Sequence, residues 1–139
     1  MLGRYSYDIV DVLETMGYIF DCDKAAVLEM AKKVREMILL SVAALQWRDK
    51  DAASKLYEMD DTVDALYWKY LRKVITPLKN EEDENKLEEK TEVITRRCHA
   101  SCLLILRYLE RISDHACYVG DSVNYIVTGV SRPRWWVVW

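Results

Sequence analysis

The stretch from Cys98 to Ile126 carries an apolar residue at alternating steps of four and three. Such a seam follows one side of a helix and is typical of a rod that packs lengthwise on other helices, here for about four heptads. Gly129 comes directly after Thr128 and suits the left-handed conformation that closes many helices. The seam consists of Cys98, Cys102, Ile105, Leu109, Ile112, Ala116, Val119, Val123 and Ile126.

Polar breaks divide the preceding part of the chain into three shorter helical segments. The first covers residues 4–20, and the second follows Asp23, which we expect to act as its N-cap, and reaches about Trp47. The expected buried positions are Ile9, Val12, Leu13, Met16, Ile19 and Phe20 in the first segment and Val27, Met30, Ala31, Val34, Ile38 and Leu45 in the second.

The third segment starts at the polar break 48–51 and reaches about Ile75. We expect Asp49 or Asp51 to cap it, and Pro77 to end it, because proline disfavours helix at the residue before it. The short break requires the second and third helices to be antiparallel neighbours. The expected buried positions are Leu56, Met59, Val63, Leu66 and Tyr70.

The chain is poor in helix breakers, with four Gly and two Pro among 139 residues. This composition favours long helices over a β fold with many turns. Three long amphipathic helices, with a short one ahead of them, must bury their apolar stripes against one another. We therefore predict an all-α fold: an antiparallel three-helix bundle with an additional short N-terminal helix.

Charge and cysteine usage exclude several classes of protein. The net charge of −3 and pI near 5.4 give no footprint for nucleic acid. No apolar run is long enough to span a bilayer, and the start has no secretory h-region. The cysteine usage leads us to expect the cytoplasm as the compartment. The four cysteines form no Cys-x-x-Cys pair, which disfavours structural zinc. We interpret Cys98 and Cys102 as small buried hydrophobes rather than parts of a disulfide framework.

Two pairs of acids stand one helical turn apart. Asp60 and Asp64 lie on the third helix, and Glu110 and Asp114 lie on the last. Like charges at this spacing repel, so each pair needs either water or a cation. Clustered carboxylates suit hard cations, but solvated acids at this spacing are common on helix surfaces, and spacing alone leaves both interpretations open. Additional acids on the same faces are Asp61 and Asp121.

The histidines do not follow the pattern of a di-iron enzyme. Such bundles place a Glu three residues before a His on two helices. Here Arg96 precedes His99 and Ile112 precedes His115 at that spacing. His115 points about 100° away from Asp114 around the helix. Two interpretations are open: a group that supports the metal ligands from behind, or a half-buried polar residue. A carboxylate-metal bundle enzyme therefore remains only an alternative.

Two stretches of this sequence resemble the PhoU family of phosphate-signalling proteins. Residues 107–129, RYLERISDHACYVGDSVNYIVTG, resemble that family's closing helix, and YEMDDTVDALYWKYLRKV resembles its middle helix with a D-x-x-x-D motif. The resemblance covers residues 24–129. The matching positions of the closing motif are Leu109, Glu110, Arg111, Ile112, Asp114, His115, Val119, Val123, Tyr125, Val127, Thr128 and Gly129.

The resemblance also implies a division of the chain. PhoU proteins usually contain two tandem three-helix bundles, and this chain resembles the second repeat. Residues 1–22 are similar to the end of the preceding repeat, so Met1 looks like a late start or the chain a truncated product. We expect residues 23–129 to form the bundle, with a charged hinge at 79–90, and residues 130–139 to form an aromatic tail. The alternative is a decayed structural fragment.

The family's properties imply a function and a metal site. The resemblance implies a non-enzymatic regulator that restrains phosphate uptake and the phosphate-starvation response by contacting a phosphate ABC transporter and a sensor kinase. It implies that iron, zinc, magnesium or manganese binds the acidic motifs. We expect a homodimer with at most peripheral membrane contact, its tail packing on a partner. The implied metal ligands are Asp60, Asp64, Glu110 and Asp114, with Asp61 and Asp121 as further candidates.

Overall fold

The computed structural model describes residues 2–16, 23–76 and 86–130. The described residues contain four helices and no strand, which confirms the predicted all-α fold. The predicted first segment, 4–20, is helical as far as Met16, and residues 17–22 lie outside the described part. The helices are α1 (Leu2–Met16), α2 (Lys24–Trp47), α3 (Lys50–Ile75) and α4 (Lys86–Thr128).

Three of the helices form the bundle. α2, α3 and α4 each pack against the other two, whereas α1, among the described elements, packs only against α4. Among the four described helices, α4 is the central element because it contacts the other three. Its 43 residues give it a length of about 65 Å. This arrangement confirms the predicted bundle with an additional N-terminal helix.

The buried face of α4 is wider than the predicted seam. Leu106, Ser113 and Cys117 are buried beside it, because α4 packs against helices on more than one side. Val119 is only half-buried. The prediction is wrong at Ile126, which is 53% exposed at the end of the helix, beyond the last buried position, Val123. Gly129 has a φ of 71°, which confirms the predicted left-handed stop.

The buried line of α2 also differs from the predicted one. Leu45 is 48% exposed, so its predicted burial is wrong. The buried face of α2 includes Ala44 instead, and Leu45 lies 100° further around the helix. Ala31 and Ile38 flank the core and are half-buried. The buried residues of α2 are Val27, Met30, Val34, Met37, Ser41 and Ala44.

The connection between α2 and α3 is built as expected. Arg48 closes α2 in a left-handed conformation, with φ 52° and ψ 42°. The Asp49 side chain then accepts hydrogen bonds from the backbone N–H groups of Asp51 and Ala52, so Asp49 is the cap of α3. At the other end, Thr76 is extended, as expected for a residue before proline. These details confirm the predicted start and end of α3.

Asp23 stands at the predicted N-cap position of α2, but its side chain makes no capping hydrogen bond. Its carboxylate turns into the bundle and joins three helices. Oδ2 accepts a hydrogen bond from Tyr70 Oη at 2.6 Å, and Oδ1 accepts one from Lys73 Nζ at 3.1 Å. Nε2 of His99 lies 3.1 Å from Oδ2. Burial works to raise the pKa of Asp23, but the contacts with Tyr70, Lys73 and His99 outweigh it and lower the pKa.

The cysteines fulfil the prediction in part. Cys102 and Cys117 are buried thiols, and the burial of Cys102 is as predicted. Cys98 is also buried but is disulfide-bonded, so its interpretation as an unbridged hydrophobe is wrong. Parts of the predicted hinge at 79–90 and the aromatic tail beyond residue 130 lie outside the described residues. None of the four helices described combines the length and apolar character needed to cross a membrane.

Candidate metal centre

Three carboxylates converge where α3 meets α4. Asp60 and Asp64 stand one turn apart on α3, and Asp114 projects from α4. Each offers one oxygen within 4.8 Å of the others, and all three residues are half-buried. The structure therefore brings together the acid pair of α3 and one member of the pair on α4. We call these residues the carboxylate triad.

Small residues on α4 let the two helices approach closely beside the triad. A Cβ on Gly120 would lie 3.1 Å from Leu56 Cδ1 and 3.3 Å from the backbone oxygen of Ala53. Cys117, one turn earlier, is buried, and its thiol contacts the backbone oxygen of Leu56 at 3.6 Å. Backbones this close leave little room for side chains between them, so acids on either side of the contact can reach one another.

Asp64 is the most constrained member of the triad. Its Oδ1 atom is buried and finds no hydrogen-bond partner within the described part of the chain. Burial, followed by the negative charges of Asp60, Glu110 and Asp114, raises the pKa of Asp64 to about 7. A buried carboxylate oxygen without a partner is costly unless the group binds a proton or a cation. A proton or a cation bound at this atom would therefore be stabilising.

Asp60 is positioned by a side chain of α4. Ser113 is fully buried, and its Oγ lies 3.0 Å from Oδ1 of Asp60 and 2.6 Å from the backbone oxygen of Glu110. A hydroxyl has a single proton and can donate it to only one of these oxygens at a time. Ser113 thus links the backbone of α4 to a carboxylate of α3.

Arginines accompany both members of the acid pair on α4, Glu110 and Asp114. Nη1 of Arg107 donates to Oε2 of Glu110 at 2.5 Å, and Nη1 of Arg111 lies 3.8 Å from Oδ2 of Asp114. Glu110 stands outside the triad, although its charge acts on Asp64. The structure therefore places this predicted ligand next to the triad, paired with an arginine.

The two further candidate ligands also stand outside the triad. Asp121 accepts a hydrogen bond from the phenol of Tyr57, and it is half-buried near the end of α4. Asp61 is exposed on α3 and acts on the triad only through its charge, which contributes to the raised pKa of Asp64. The grouping of all six predicted acids therefore reduces to three, with Glu110 as a neighbour.

The histidines are engaged elsewhere. His115 is half-buried in an aromatic group, with its ring centroid 5.6 Å from that of Tyr5 and 5.1 Å from that of Tyr118. Burial lowers the pKa of His115. His99 contacts Asp23, as described above. The described residues thus provide carboxylate oxygens at the triad and no imidazole, which is a donor set that suits hard cations.

Sequence reasoning missed the groups that surround the acids. Ser113 holds Asp60, and Arg107 and Arg111 accompany Glu110 and Asp114. The two arginines precede their acids by three residues, a spacing that places side chains on one helix face and could have been read directly. Ser113 gave no such signal, because its partner is 53 residues away in sequence.

The geometry defines the class of protein: a bundle of long helices with a group of carboxylates in the groove between two of them. The PhoU domain profile matches residues 27–123, and the chain belongs to the PhoU domain family. No solved structure matches it.

Three similar proteins carry the name phosphate-specific transport system accessory protein PhoU homolog. That of Clostridium acetobutylicum is 31% identical over 129 residues, covering 92% of this chain and 54% of that protein. The Synechocystis protein is 29% identical over 129 residues, covering 92% of this chain and 52% of its own length. The Pseudomonas putida protein is 31% identical over 103 residues, covering 74% and 36% respectively. The chain spans about half the length of the first two.

Proposed function

We propose that this protein is a metal-binding regulator of phosphate uptake and of phosphate-starvation signalling. It acts by contact with a phosphate ABC transporter or with its signalling partner, a sensor kinase. Membership of the PhoU domain family supports this proposal, as do the names of the relatives, which describe accessory proteins of a phosphate-specific transport system. The chain works as a binding protein in this account and not as an enzyme.

The single observation that carries the metal part of the proposal is the buried Oδ1 of Asp64 in the carboxylate triad, which has no hydrogen-bond partner among the described residues. A cation bound by Asp60, Asp64 and Asp114 would satisfy this atom and offset the repulsion among the three charges. Magnesium, manganese or ferric iron suits an all-oxygen donor set better than a metal that prefers sulfur. Zinc binds carboxylates as well and belongs among the candidates.

The regulatory part of the proposal is favoured over an enzyme by the donor set. A di-iron bundle enzyme places a histidine beside the glutamates of each metal. Here His99 contacts Asp23 and His115 contacts aromatic rings, so neither histidine belongs to the triad. A cation held by three aspartates on two helices would instead stiffen the α3–α4 contact and present a charged surface to a partner.

A homodimer in the cytoplasm is part of the same proposal. Exposed apolar side chains on α1 and, separately, on α2 are groups that a second copy could cover, since burial of such groups drives association. They include Tyr7, Val10, Leu39 and Val42. The expected mass in solution is that of two chains, measured by light scattering. A monomer at micromolar concentration would contradict this part of the proposal alone.

The metal site is tested by elemental analysis of protein purified without chelator. We expect bound metal in the natural chain and its loss in the double variant Asp64→Asn with Asp114→Asn. Glu58→Gln is the matched control, because Glu58 is an exposed acid of α3 outside the triad. Equal metal content in all three proteins would contradict the site.

Partner contact is tested by pull-down with the cytoplasmic ATPase subunit of the transporter and with the cytoplasmic part of the sensor kinase. We expect binding of at least one of them to the natural chain, with metal changing the amount retained. No binding in the presence or absence of metal would contradict the regulatory proposal and favour a decayed structural fragment.

A further inference from the structure

We propose that Arg107 is a built-in counter-cation that holds Glu110 away from the carboxylate triad until a metal ion takes Glu110 from it. Arg107 thereby sets the affinity of the site. This inference rests on the proposed metal-binding function and adds a control element to it. The observations that carry it are the pairing of the two residues, their exposure and the position of Tyr67.

The two side chains of the pair differ in exposure. Nη1 of Arg107 lies 2.5 Å from Oε2 of Glu110, and the side chains are 41% and 12% exposed, respectively. A carboxylate that is largely withdrawn from water needs a charged or hydrogen-bonding partner. Arg107 supplies that partner while its own outer part remains in solvent. The pair thus neutralises a nearly buried negative charge at the edge of the site.

Glu110 stands close enough to act on the triad. It precedes Asp114 by one helical turn, and its charge is one of the causes that raise the pKa of Asp64. Its oxygens nevertheless stay outside the triad. A cation at Asp64 would attract the Glu110 carboxylate, which the guanidinium of Arg107 already binds. The bound cation and the Arg107 guanidinium therefore compete for the Glu110 carboxylate.

Arg107 has a second partner that does not depend on Glu110. Its guanidinium carbon lies 5.7 Å from the ring centroid of Tyr67, on α3. Attraction between a cation and an aromatic face is worth about 0.5–1 kcal/mol at exposed sites. Because the guanidinium keeps this contact and its access to water, it can release the carboxylate without being left unpaired. The exchange of Glu110 from arginine to metal is thus compatible with the observed packing.

The experiment is a double-mutant cycle on metal affinity. Mn²⁺ is titrated into the metal-free chain, and the free ion is followed by its electron paramagnetic resonance signal. We expect Arg107→Met to bind Mn²⁺ about fivefold more tightly than the natural chain, the size expected when one partly exposed ion pair no longer competes. In a Glu110→Gln background, the same substitution should change the affinity less than about twofold.

Two variants separate the proposal from simpler effects. Arg111→Met removes an equal charge one turn away and should act to the same extent with or without Glu110, because Arg111 faces Asp114 instead. Arg107→Lys keeps the charge and should restore most of the natural affinity. If Arg107→Met loses its helical circular dichroism, Arg107→Gln, which also removes the charge, takes its place in the cycle.

The outcomes are distinct. An Arg107→Met effect of equal size in both backgrounds would mean a general repulsion of the cation and would overturn the proposal, as would weaker binding by Arg107→Met alone. Failure of the natural chain to bind Mn²⁺, Mg²⁺, Zn²⁺ or Fe³⁺ would overturn the proposed metal function, and this inference with it. Binding by the natural chain without dependence on Arg107 would overturn only this inference.

Discussion

Tyr70 Oη on α3 donates a hydrogen bond of 2.6 Å to Oδ2 of Asp23, which precedes α2. Both residues are buried, and 47 positions separate them in the sequence. With Lys73 and His99 also in contact with the carboxylate, one acidic side chain joins the ends of α2 and α3 to α4. This contact fixes the three bundle helices relative to one another.

Removal of the Tyr70 hydroxyl tests that role. We expect Tyr70→Phe to lower the free energy of unfolding by about 1.5–3 kcal/mol, because a hydrogen bond to a charged buried group is lost. Urea denaturation at pH 7 measures the effect, and Tyr7→Phe is the matched control, since Tyr7 is exposed. The pKa of Asp23 is lowered in the fold, so this stabilisation is present above its unfolded pKa. The difference between the two proteins should shrink as the pH falls through the folded pKa.

The carboxylate triad should make stability depend on pH in the opposite sense to the Asp23–Tyr70 contact. The pKa of Asp64 rises from 3.8 to about 7 on folding, so the folded chain holds a proton that the unfolded chain has released between these pH values. Stability of the metal-free protein should therefore fall as the pH rises from 4 to 7. Asp64→Asn should reduce this slope, measured by urea denaturation in chelator, whereas Glu58→Gln should leave it in place. An unchanged slope in Asp64→Asn would contradict the assignment.

The close α3–α4 contact at Gly120 predicts intolerance of a methyl group. Gly120→Ala would place its Cβ 3.3 Å from the backbone oxygen of Ala53, which cannot move independently of α3. We expect a loss of about 1–3 kcal/mol in unfolding free energy, typical of overpacking. Gly3→Ala is the control, because open space surrounds that position in α1, and it should be neutral or stabilising. Thermal or urea denaturation of both variants gives the comparison.

The left-handed residue between α2 and α3 predicts a stabilising substitution. Arg48 adopts a φ of 52°, which costs an L-residue roughly 1–2 kcal/mol relative to glycine. Arg48→Gly should therefore raise the unfolding free energy by about 0.5–1 kcal/mol after the greater entropy of unfolded glycine is included. Arg35→Gly, at an exposed position inside α2, should instead lower it by about 1 kcal/mol. A loss in both variants would contradict the αL assignment.

The helices and their breaks could be predicted from local features. The cap at Asp49, the stop at Gly129 and the end of α3 before Pro77 depend on residues adjacent in sequence, so the sequence contains their causes. Errors arose at helix ends, where periodicity continues but the neighbouring helix does not. Ile126 and Leu45 fit apolar patterns and yet lie where little packs over them.

The site was predictable only in part, because it depends on how two helices pack as well as on spacing along each helix. Spacing along one helix paired Asp60 with Asp64 and Glu110 with Asp114, but the rotation of α3 against α4 decides which of them meet. That rotation depends on the small residues of the contact, such as Gly120, and it brings in Asp114 while Glu110 remains with Arg107. The burial of Asp23 likewise depends on partners from two other helices.

α4 runs without interruption from Lys86 to Thr128. His99 and Asp114 thus belong to one continuous helix and lie about 22 Å apart along its axis. A continuous helix moves as a unit, since a change in its length would break its backbone hydrogen bonds. Any axial shift of α4 at Asp114 is therefore accompanied by the same shift at His99, so the carboxylate triad and the contact of His99 with Asp23 are mechanically coupled.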